Sequence, residues 1–518
     1  MYTTIQNLMV IAYTASMAVL AAFGTHRYWQ LILYYRVARK PVQPVGKFSA
    51  LPKITVQLPL FNERFVAQRV IEAACKLNYP PELLQIQVLD DSTDESALIA
   101  ESVCRRMCEA GHQVQYIHRT NRTGYKAGAL ANGLQSATGE YIAIFDADFV
   151  PLPDMLQQSV HFFTDPTIAC VQSRWEHINR HQSLLTVCQA ILLDGHFMIE
   201  HTARNRSGRF INFNGTGGIW RPSAIDDAGG WQHDTLTEDM DLSYRAQMRN
   251  WKMVFLPDLV SPAELPPEII SFKQQQHRWT KGIAQTAVKL LPAVLRSKLP
   301  LRVKLEAFFH LTSGIVYPPA VALALLVFPT FAFGGPSFLS PKSTIAWYVM
   351  MGLFTLMTFS AGAFYVASQR ELGRNWLKTI LLVPFLMAIG AGISLANAVA
   401  VLEGLFGRRN CEFIRTPKYG VAGDEAADQW KVRAGHFKRK INWIPLAELT
   451  FGFYLFACLA MAVVWQRDLL AIPFLTIFMT GYFYVGGLSL YNQWLASRTQ
   501  PQPIPVATPS AETVSAAA

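Results

Sequence analysis

Six long apolar segments are separated by polar stretches along the chain. The first, residues 5–24, contains no charged side chain and is long enough to cross a hydrocarbon core of about 30 Å as one helix. The other segments lie near residues 311–332, 346–368, 378–403, 444–465 and 470–492. Basic residues at positions 36, 39 and 40 follow the first segment, and no Lys or Arg precedes it. The positive-inside rule therefore predicts a membrane helix, rather than a signal peptide, with its N-terminus outside and the next domain in the cytoplasm.

The loop at residues 404–443 determines the predicted topology of the later segments. It holds nine Lys or Arg residues against four acidic residues, which predicts a cytoplasmic position. An even number of crossings must then separate it from the soluble domain, although three apolar segments lie between them. We therefore expect residues 378–403 to lie along the inner membrane interface instead of crossing. Six full crossings, with the loop outside, are the alternative.

Short β-rich runs alternate with helical patterns between residues 37 and 305. The predicted strands are residues 54–58, 86–90, 114–118, 141–146 and 253–257. Such alternation predicts an α/β domain with a mostly parallel, doubly wound sheet. The expected organisation is a transmembrane helix at 1–36, a cytoplasmic domain at 37–305, membrane and interface helices at 306–498 that include the loop 404–443, and a disordered tail at 499–518.

Composition agrees with a membrane protein. Hydrophobic residues occupy 51% of the 518 positions and charged residues only 16%, whereas soluble domains carry about 25% charged residues. The net charge of +10 is compatible with nucleic acid, but the basic residues cluster beside apolar segments, where anionic lipid headgroups explain them more simply. We expect the membrane, and no nucleic acid, as a partner.

Polar clusters follow three of the predicted strands. Their members are Asn62 with Glu63, Asp90 with Asp91, and Asp146 with Asp148. Ligands of parallel sheets bind beyond the carboxyl ends of the strands, so these clusters predict one shared site. Paired carboxylates with free coordination positions suit Mg²⁺ or Mn²⁺ bridging a diphosphate. The alternatives are a solvated turn at Asp146 and Asp148, and capping of a helix at 94–108 by Asp90 and Asp91.

Three further segments contain residue types that suit a binding site. Residues 215–218 are Gly-rich and either allow close approach of a ligand or form a structural turn. Residues 237–241 fit a helix N-terminus, where acids also complement the helix dipole. Residues 275–279 offer Arg for a phosphate and Trp for a sugar face, or an interfacial Trp with snorkelling cations. Neither a P-loop nor a dinucleotide fingerprint follows the first strand.

Five of these motifs occur in an order that resembles a known family. VLDDSTDES, FDADF, FNGTGGIWR, LTEDMDL and QQHRW lie between one N-terminal span and a C-terminal group of spans. This arrangement resembles membrane-embedded processive glycosyltransferases of family 2, most of all the cellulose synthase-like glucomannan and β-glucan synthases. The resemblance implies that the cytoplasmic α/β domain has a GT-A (Rossmann-like) fold.

The resemblance also implies roles for individual residues. Asp239 would be the catalytic base, Asp148 would bind the metal directly, and Asp146 would bind beside it. The nucleotide sugar would contact Asn62, Glu63, Asp90, Asp91, Lys126, Asp146 and Arg278. The acceptor would contact Gly215, Thr216, Glu238, Gln275 and Trp279. Residues 413–418 resemble a gating loop of pattern F-x-V-T-x-K, in which Phe413, Thr416 and Lys418 match and Arg415 replaces Val.

The expected activity is inverting, processive β-glycosyl transfer from UDP-glucose or GDP-mannose, with Mg²⁺ or Mn²⁺ as cofactor. The product would be a β-linked polysaccharide that passes outward across the membrane. A single base suffices, because a nucleotide diphosphate leaves as a metal-stabilised anion. The alternative enzyme is a glycolipid synthase that makes one transfer to a lipid acceptor. A transporter with a regulatory nucleotide-binding domain is disfavoured, because almost no ionisable residues lie within the apolar segments.

The same reasoning predicts the setting of the enzyme. We expect an integral, multi-pass membrane protein whose catalytic domain faces the cytoplasm. Its membrane would be the plasma or inner membrane in a prokaryote and the Golgi membrane in a eukaryote. Its partners would be the nucleotide-sugar donor and a polysaccharide or lipid acceptor, and a homo-oligomer is compatible with the sequence.

Overall fold

A computed structural model describes residues 2–40, 42–332, 344–407, 413–421, 429–433, 443–464 and 472–498. In these residues one seven-stranded sheet forms the centre of the soluble part. Its strands are β1 (Ile54–Leu60), β2 (Leu84–Asp90), β3 (Val114–His118), β4 (Tyr141–Ile144), β5 (Ile168–His177), β6 (Gly218–Trp220) and β7 (Lys252–Ala263). The spatial order is β3-β2-β1-β4-β6-β5-β7.

The sheet is mostly parallel, which confirms the predicted fold class. Strand β1 runs parallel to β2 and β4, β2 runs parallel to β3, and β5 runs parallel to β7. Only β6 is antiparallel, to both β4 and β5. Strands β5 and β6 were not predicted, β4 ends two residues earlier than predicted, and β7 is longer than predicted. A three-residue strand such as β6 has too few positions to show a period of two.

Helices cover both faces of the sheet in the soluble part. They are α2 (Ala67–Cys75), α3 (Ser96–Glu109), α4 (Tyr125–Leu134), α5 (Met155–Val160), α6 (Leu184–Asp194), α7 (Thr202–Arg206), α8 (Pro222–Asp227), α9 (Glu238–Met248) and α10 (Ile269–Arg296). A π-helix at Gly195–His201 joins α6 to α7, and 3₁₀ turns occupy Pro81–Leu83 and His161–Thr164.

Strand alternation gives the sheet two different faces. On one face, Val56 and Leu58 of β1 are fully buried in an apolar cluster with Val70 of α2. On the other face, the neighbouring Gln57 donates a hydrogen bond of 3.1 Å to Gln87 of β2. Gln87 in turn donates a hydrogen bond of 3.0 Å to Ser136 Oγ, so most of the polar atoms of this buried pair have partners inside the domain.

The remaining helices include the predicted membrane segments. They are α1 (Tyr2–Val37), α11 (Leu301–Leu311), α12 (Tyr317–Ala332), α13 (Thr344–Glu371), α14 (Trp376–Gly392), α15 (Ser394–Phe406), α16 (Gln429–Arg433), α17 (Ile444–Val464) and α18 (Ile472–Arg498), with a 3₁₀ turn at Ser313–Val316. Among the described residues, α17 and α18 are long and apolar enough to cross a membrane. The number rises to four if two bent helix pairs each count as one span, and one of these pairs, α14 with α15, bends by 47°.

The membrane helices contact the soluble domain through buried ion pairs. Lys273 of α10 lies 2.6 Å from Glu448 of α17. This buried ion pair connects α17, the most apolar of the helices, to the soluble domain. The predicted interfacial position of residues 378–403 stays a prediction. Five basic positions of the loop 404–443, at 408, 409, 438, 439 and 440, lie outside the described residues, as does the tail 499–518.

Candidate active site

The ends of β1, β2 and β4 meet at one edge of the sheet. Leu60, the last residue of β1, is paired with Asp90, the last residue of β2. Parallel strands deliver the residues that follow them to the same side. One cavity at this edge is lined by residues from four distant parts of the chain, including Asp91, Asp148, Asp239 and Trp279.

The two adjacent aspartates after β2 have different environments. Asp90 is fully buried and accepts hydrogen bonds from Ser92 N at 3.0 Å and from the Tyr116 hydroxyl at 2.7 Å. Asp91 lines the cavity and accepts two hydrogen bonds from the Arg119 guanidinium, at 2.7 and 2.5 Å. Of this pair, the cavity therefore presents Asp91, while Asp90 supports the strand end beneath it.

Neither aspartate caps the following helix, contrary to the alternative interpretation. Helix α3 begins at Ser96, whose N–H donates to Asp94 Oδ1 at 2.9 Å. Asn62 instead joins the loop after β2 to the loop after β1: its Oδ1 accepts from Thr93 N at 2.8 Å. Asn62 does not line the cavity, whereas the next residue, Glu63, does.

The D-x-D pair is engaged by two lysines from different elements. Lys126 Nζ lies 2.5 Å from Asp146 Oδ1, and Lys418 Nζ lies 2.8 Å from Asp148 Oδ1. Burial alone would raise the pKa of Asp146, but Lys126 and Lys418 together lower it. Both carboxylates thus face positive charge from the cavity side, and the solvated-turn interpretation is wrong. Thr216 is buried behind them and accepts a hydrogen bond from Asp146 N at 2.9 Å.

The acids of the predicted helix N-terminus point into the same cavity. Glu238 and Asp239 occupy the first turn of α9 and both line the cavity. Burial, reinforced by the charge of Glu238, raises the pKa of Asp239 to about 7. A carboxyl group with such a pKa changes its protonation state near neutral pH, as a general base needs.

Gly215 allows this helix terminus to approach the loop before β6. Its φ of +79° favours glycine, and a Cβ at this position would lie 3.2 Å from Asp239 Oδ2. Its carbonyl accepts a hydrogen bond of 2.8 Å from Lys126 Nζ. The Gly-rich stretch is therefore a tight turn, and it also allows the N-terminus of α9 to approach closely.

Helix α10 supplies the third group of predicted residues. Gln275, Arg278 and Trp279 all line the cavity. The Arg278 guanidinium lies 4.5 Å from the centre of the Phe413 ring. Burial lowers the pKa of Arg278, and the acids Glu238 and Asp146 oppose this effect. The guanidinium consequently faces the acids and remains a cation.

The segment 413–421 contributes five residues to the lining of the cavity. Phe413, Thr416 and Lys418 line it, and Arg415 forms an ion pair of 3.1 Å with Glu63. The residue that departs from the family pattern therefore contributes a charged contact to the site.

One buried carboxylate accepts two main-chain hydrogen bonds from the far end of this segment. Tyr419 N and Val421 N donate hydrogen bonds to Glu264 Oε1 and Oε2, at 2.9 and 3.1 Å. Sequence reasoning missed Glu264, and it also missed Arg119, Trp175 and His177. The pattern Trp175-x-His177 after an apolar run was the one signal that pointed to the last two.

A divalent cation would need ligands beyond the two carboxylates. Among the residues that the structure describes, no group of three or more His, Cys, Asp or Glu side chains could hold a metal ion. Asp146 and Asp148 nevertheless fit a cation bound together with a diphosphate, because both carboxylates line the cavity and oxygen atoms of the diphosphate would complete the coordination.

Comparison with known proteins agrees with this geometry. Residues 52–282 match a family model described as "Glycosyltransferase like family 2". The chain is 32% identical over 489 residues to glucomannan 4-beta-mannosyltransferase 7 of Arabidopsis thaliana, covering 90% of this chain and 84% of the relative. It is 35% identical over 453 residues to glucomannan 4-beta-mannosyltransferase 1 of Oryza sativa subsp. japonica, covering 85% and 82%.

Among solved structures, the mannosyltransferase PcManGT from Pyrobaculum calidifontis, in complex with GDP-Man and Mn²⁺, is similar with a TM-score of 0.50 and 22% identity. The match covers 69% of this chain and 98% of that protein. At this level of identity the likeness supports the fold.

Proposed function

The chain belongs to glycosyltransferase family 2 and is a hexosyltransferase of the cellulose synthase-like group, and from this premise we propose that it polymerises a β-linked mannan or glucomannan backbone from GDP-mannose. The proposed acceptor is the non-reducing end of the growing chain. Product then leaves between the membrane helices on the far side from the donor.

The observation that carries this proposal is the convergence of Asp91, Asp148, Asp239 and Trp279 on one cavity. Successive members of this set are separated by 57, 91 and 40 positions in the chain. A donor site, a base and an aromatic platform are the parts that sugar transfer from a nucleotide requires. Their assembly beside α10, which contacts the membrane helices through Lys273, suits a polymer acceptor.

The geometry supports a single displacement with inversion. The acceptor hydroxyl oxygen forms a bond to the anomeric carbon while the bond from that carbon to the phosphate oxygen breaks. Asp239 takes the hydroxyl proton, and the nucleotide diphosphate leaves with the electron pair. Lys126 and Arg278 stabilise the charge that develops on the phosphate oxygens.

Asp146 and Asp148 would hold the divalent cation when the donor is bound. The cation supplies Lewis-acid stabilisation of the diphosphate leaving group. The ammonium groups of Lys126 and Lys418 then move from these carboxylates to the phosphate oxygens, which are also negatively charged. Glu63 and Asp91 are placed to contact the nucleoside portion, and Trp279 to stack on the terminal acceptor ring.

GDP-mannose is proposed as the donor because both named relatives are glucomannan mannosyltransferases. The test is incubation of the purified protein in nanodiscs with labelled GDP-mannose or UDP-glucose, with Mg²⁺, Mn²⁺ or EDTA. We expect metal-dependent incorporation from GDP-mannose into long products on a sizing gel. One labelled sugar on extracted lipid would instead identify a glycolipid synthase, and preferred incorporation from UDP-glucose would overturn the donor assignment.

A further inference from the structure

The end of strand β5 presents two side chains to the active-site cavity. Side chains alternate along a strand, so Trp175 and His177 lie on one face and Glu176 on the other. Trp175 and His177 both line the cavity that contains Asp239. The roles derived above for donor, base and gating segment use neither of them.

His177 has hydrogen-bonding capacity that the protein leaves unused. Its side chain is 6% exposed, and within the described residues neither ring nitrogen has a hydrogen-bond partner. Burial lowers the pKa of His177 to about 3, so the ring is neutral, with one nitrogen donating and the other accepting. The buried Nε1 of Trp175 also lacks a partner in this part of the chain. Unsatisfied buried polar atoms are unfavourable, which favours an occupant with hydroxyl groups.

The side chain that lines the cavity beside His177 on β5 is aromatic, and the charges of Arg174, Glu176 and Arg180 also act on the His177 ring. The Trp175 and Trp279 rings are 6.3 Å apart at 55°, so they touch each other and form one angled wall. Leu193 and Pro266 line the same cavity. The lysines and arginine proposed for the diphosphate belong to other elements. This wall therefore suits a neutral ring with apolar faces and hydroxyl edges.

The wall is also held rigidly. Trp175 packs against Phe149 and Phe197, each with ring centres 5.2 Å away. On the opposite face of β5, Arg374 donates to both oxygens of Glu176, at 2.8 and 2.7 Å. Arg374 lies between α13 and α14, so the membrane helices fix the strand end that carries the two side chains.

We propose that Trp175 and His177 form an acceptor subsite for the sugar ring adjoining the one that receives the transfer. The ring lies with its apolar face on the Trp175 indole, and its hydroxyl groups hydrogen-bond to both nitrogens of His177. Trp279 carries the terminal ring next to it. This inference rests on the proposed function, and it makes the enzyme prefer an oligosaccharide acceptor to a monosaccharide.

The test uses the full-length protein in nanodiscs with β-1,4-mannotriose as acceptor and GDP-mannose as donor. His177→Phe keeps the ring volume and removes both hydrogen-bonding atoms, whereas His177→Gln keeps a donor and an acceptor. We expect His177→Phe to raise the KM for mannotriose about tenfold, the effect of one or two lost hydrogen bonds. His177→Gln should recover most of this loss. The Kd for GDP-mannose, measured by calorimetry, should stay at the wild-type value in both variants.

A tryptophan pair provides an independent comparison that does not depend on folding of the histidine variants. Trp175→Phe should raise the KM for mannotriose. Trp231→Phe should not, although Trp231 is also a tryptophan whose buried Nε1 has no partner among the described residues. Trp231 packs in the apolar core with Ala224 and Leu242, away from the cavity.

The outcomes separate the subsite from the proposed function. If the wild type transfers mannose while His177→Phe and Trp175→Phe keep its KM for mannotriose, the subsite is refuted, water fills the space beside His177, and the proposed function stands. An equal weakening of GDP-mannose binding would refute the subsite by placing these residues on the donor side. If the wild type transfers no sugar from GDP-mannose or UDP-glucose, the proposed function fails and the subsite fails with it.

Discussion

Substitution of Glu238 by Gln should move the pH dependence of transfer to lower pH. Asp239 must be ionised to accept a proton, so a pKa of about 7 leaves about one tenth of the base active at pH 6 and about half at pH 7. Activity should therefore rise roughly tenfold between pH 6 and the alkaline plateau. The charge of Glu238 is the second cause of the raised pKa after burial. Its removal eases ionisation of Asp239, so a larger fraction of the plateau activity should remain at pH 6.

The assay is the pH profile of kcat/KM for the acceptor, because this quantity reports the ionisation of the free enzyme. Glu238 is itself proposed to contact the acceptor, so its substitution can also change the plateau value of kcat/KM. The informative quantity is therefore the pH at which kcat/KM falls to half of its plateau value. Asp241→Asn is the matched control: Asp241 is buried in the same helix, pairs with Arg245 at 2.7 Å, and does not line the cavity. An acid limb that stays in place in Glu238→Gln, or moves to higher pH, would refute the electrostatic account of Asp239.

Three further predictions concern neighbouring residues. Asp239→Asn should lower kcat by about 10²–10⁴-fold, the usual contribution of a general base, and leave the Kd for GDP-mannose unchanged in calorimetry; a variant with near wild-type kcat would reject Asp239 as the base. Gly215→Ala should lower both kcat and the free energy of unfolding in urea, the latter by about 1 kcal/mol or more, because of its φ of +79° and the contact with Asp239. Lys418→Ala should raise the Kd for GDP-mannose about tenfold, since Lys418 is proposed to pass from Asp148 to the diphosphate; an unchanged Kd would place the lysine outside the donor site.

The sequence predicted those features that depend on order and local pattern. The alternation of strands and helices predicted a mostly parallel sheet, and the ordered motifs predicted membership of glycosyltransferase family 2; both are confirmed. The rule that ligands lie beyond the carboxyl ends of parallel strands correctly brought Glu63, Asp91 and Asp148 to one cavity.

Features that depend on contacts between distant residues were beyond the sequence. Two adjacent aspartates look alike in a motif, but Tyr116 fixes Asp90 inside the domain while Arg119 holds Asp91 at the cavity. Neither partner is adjacent in sequence. The ion pair of Arg415 with Glu63 was likewise invisible, because a departure from a family pattern does not reveal which acid will receive the new charge.

Attachment of the segment 413–421 through main-chain N–H groups bears on its tolerance of substitution. Every amino acid except proline carries the N–H that Val421 donates to Glu264. Side-chain identity at Val421 can thus drift among apolar residues without detaching the segment, whereas a proline there would remove one of its two main-chain bonds to this carboxylate. At Val421 the attachment therefore depends on the backbone and on Glu264, whereas Tyr419 also needs its own side chain, because its buried hydroxyl donates a hydrogen bond to Glu268.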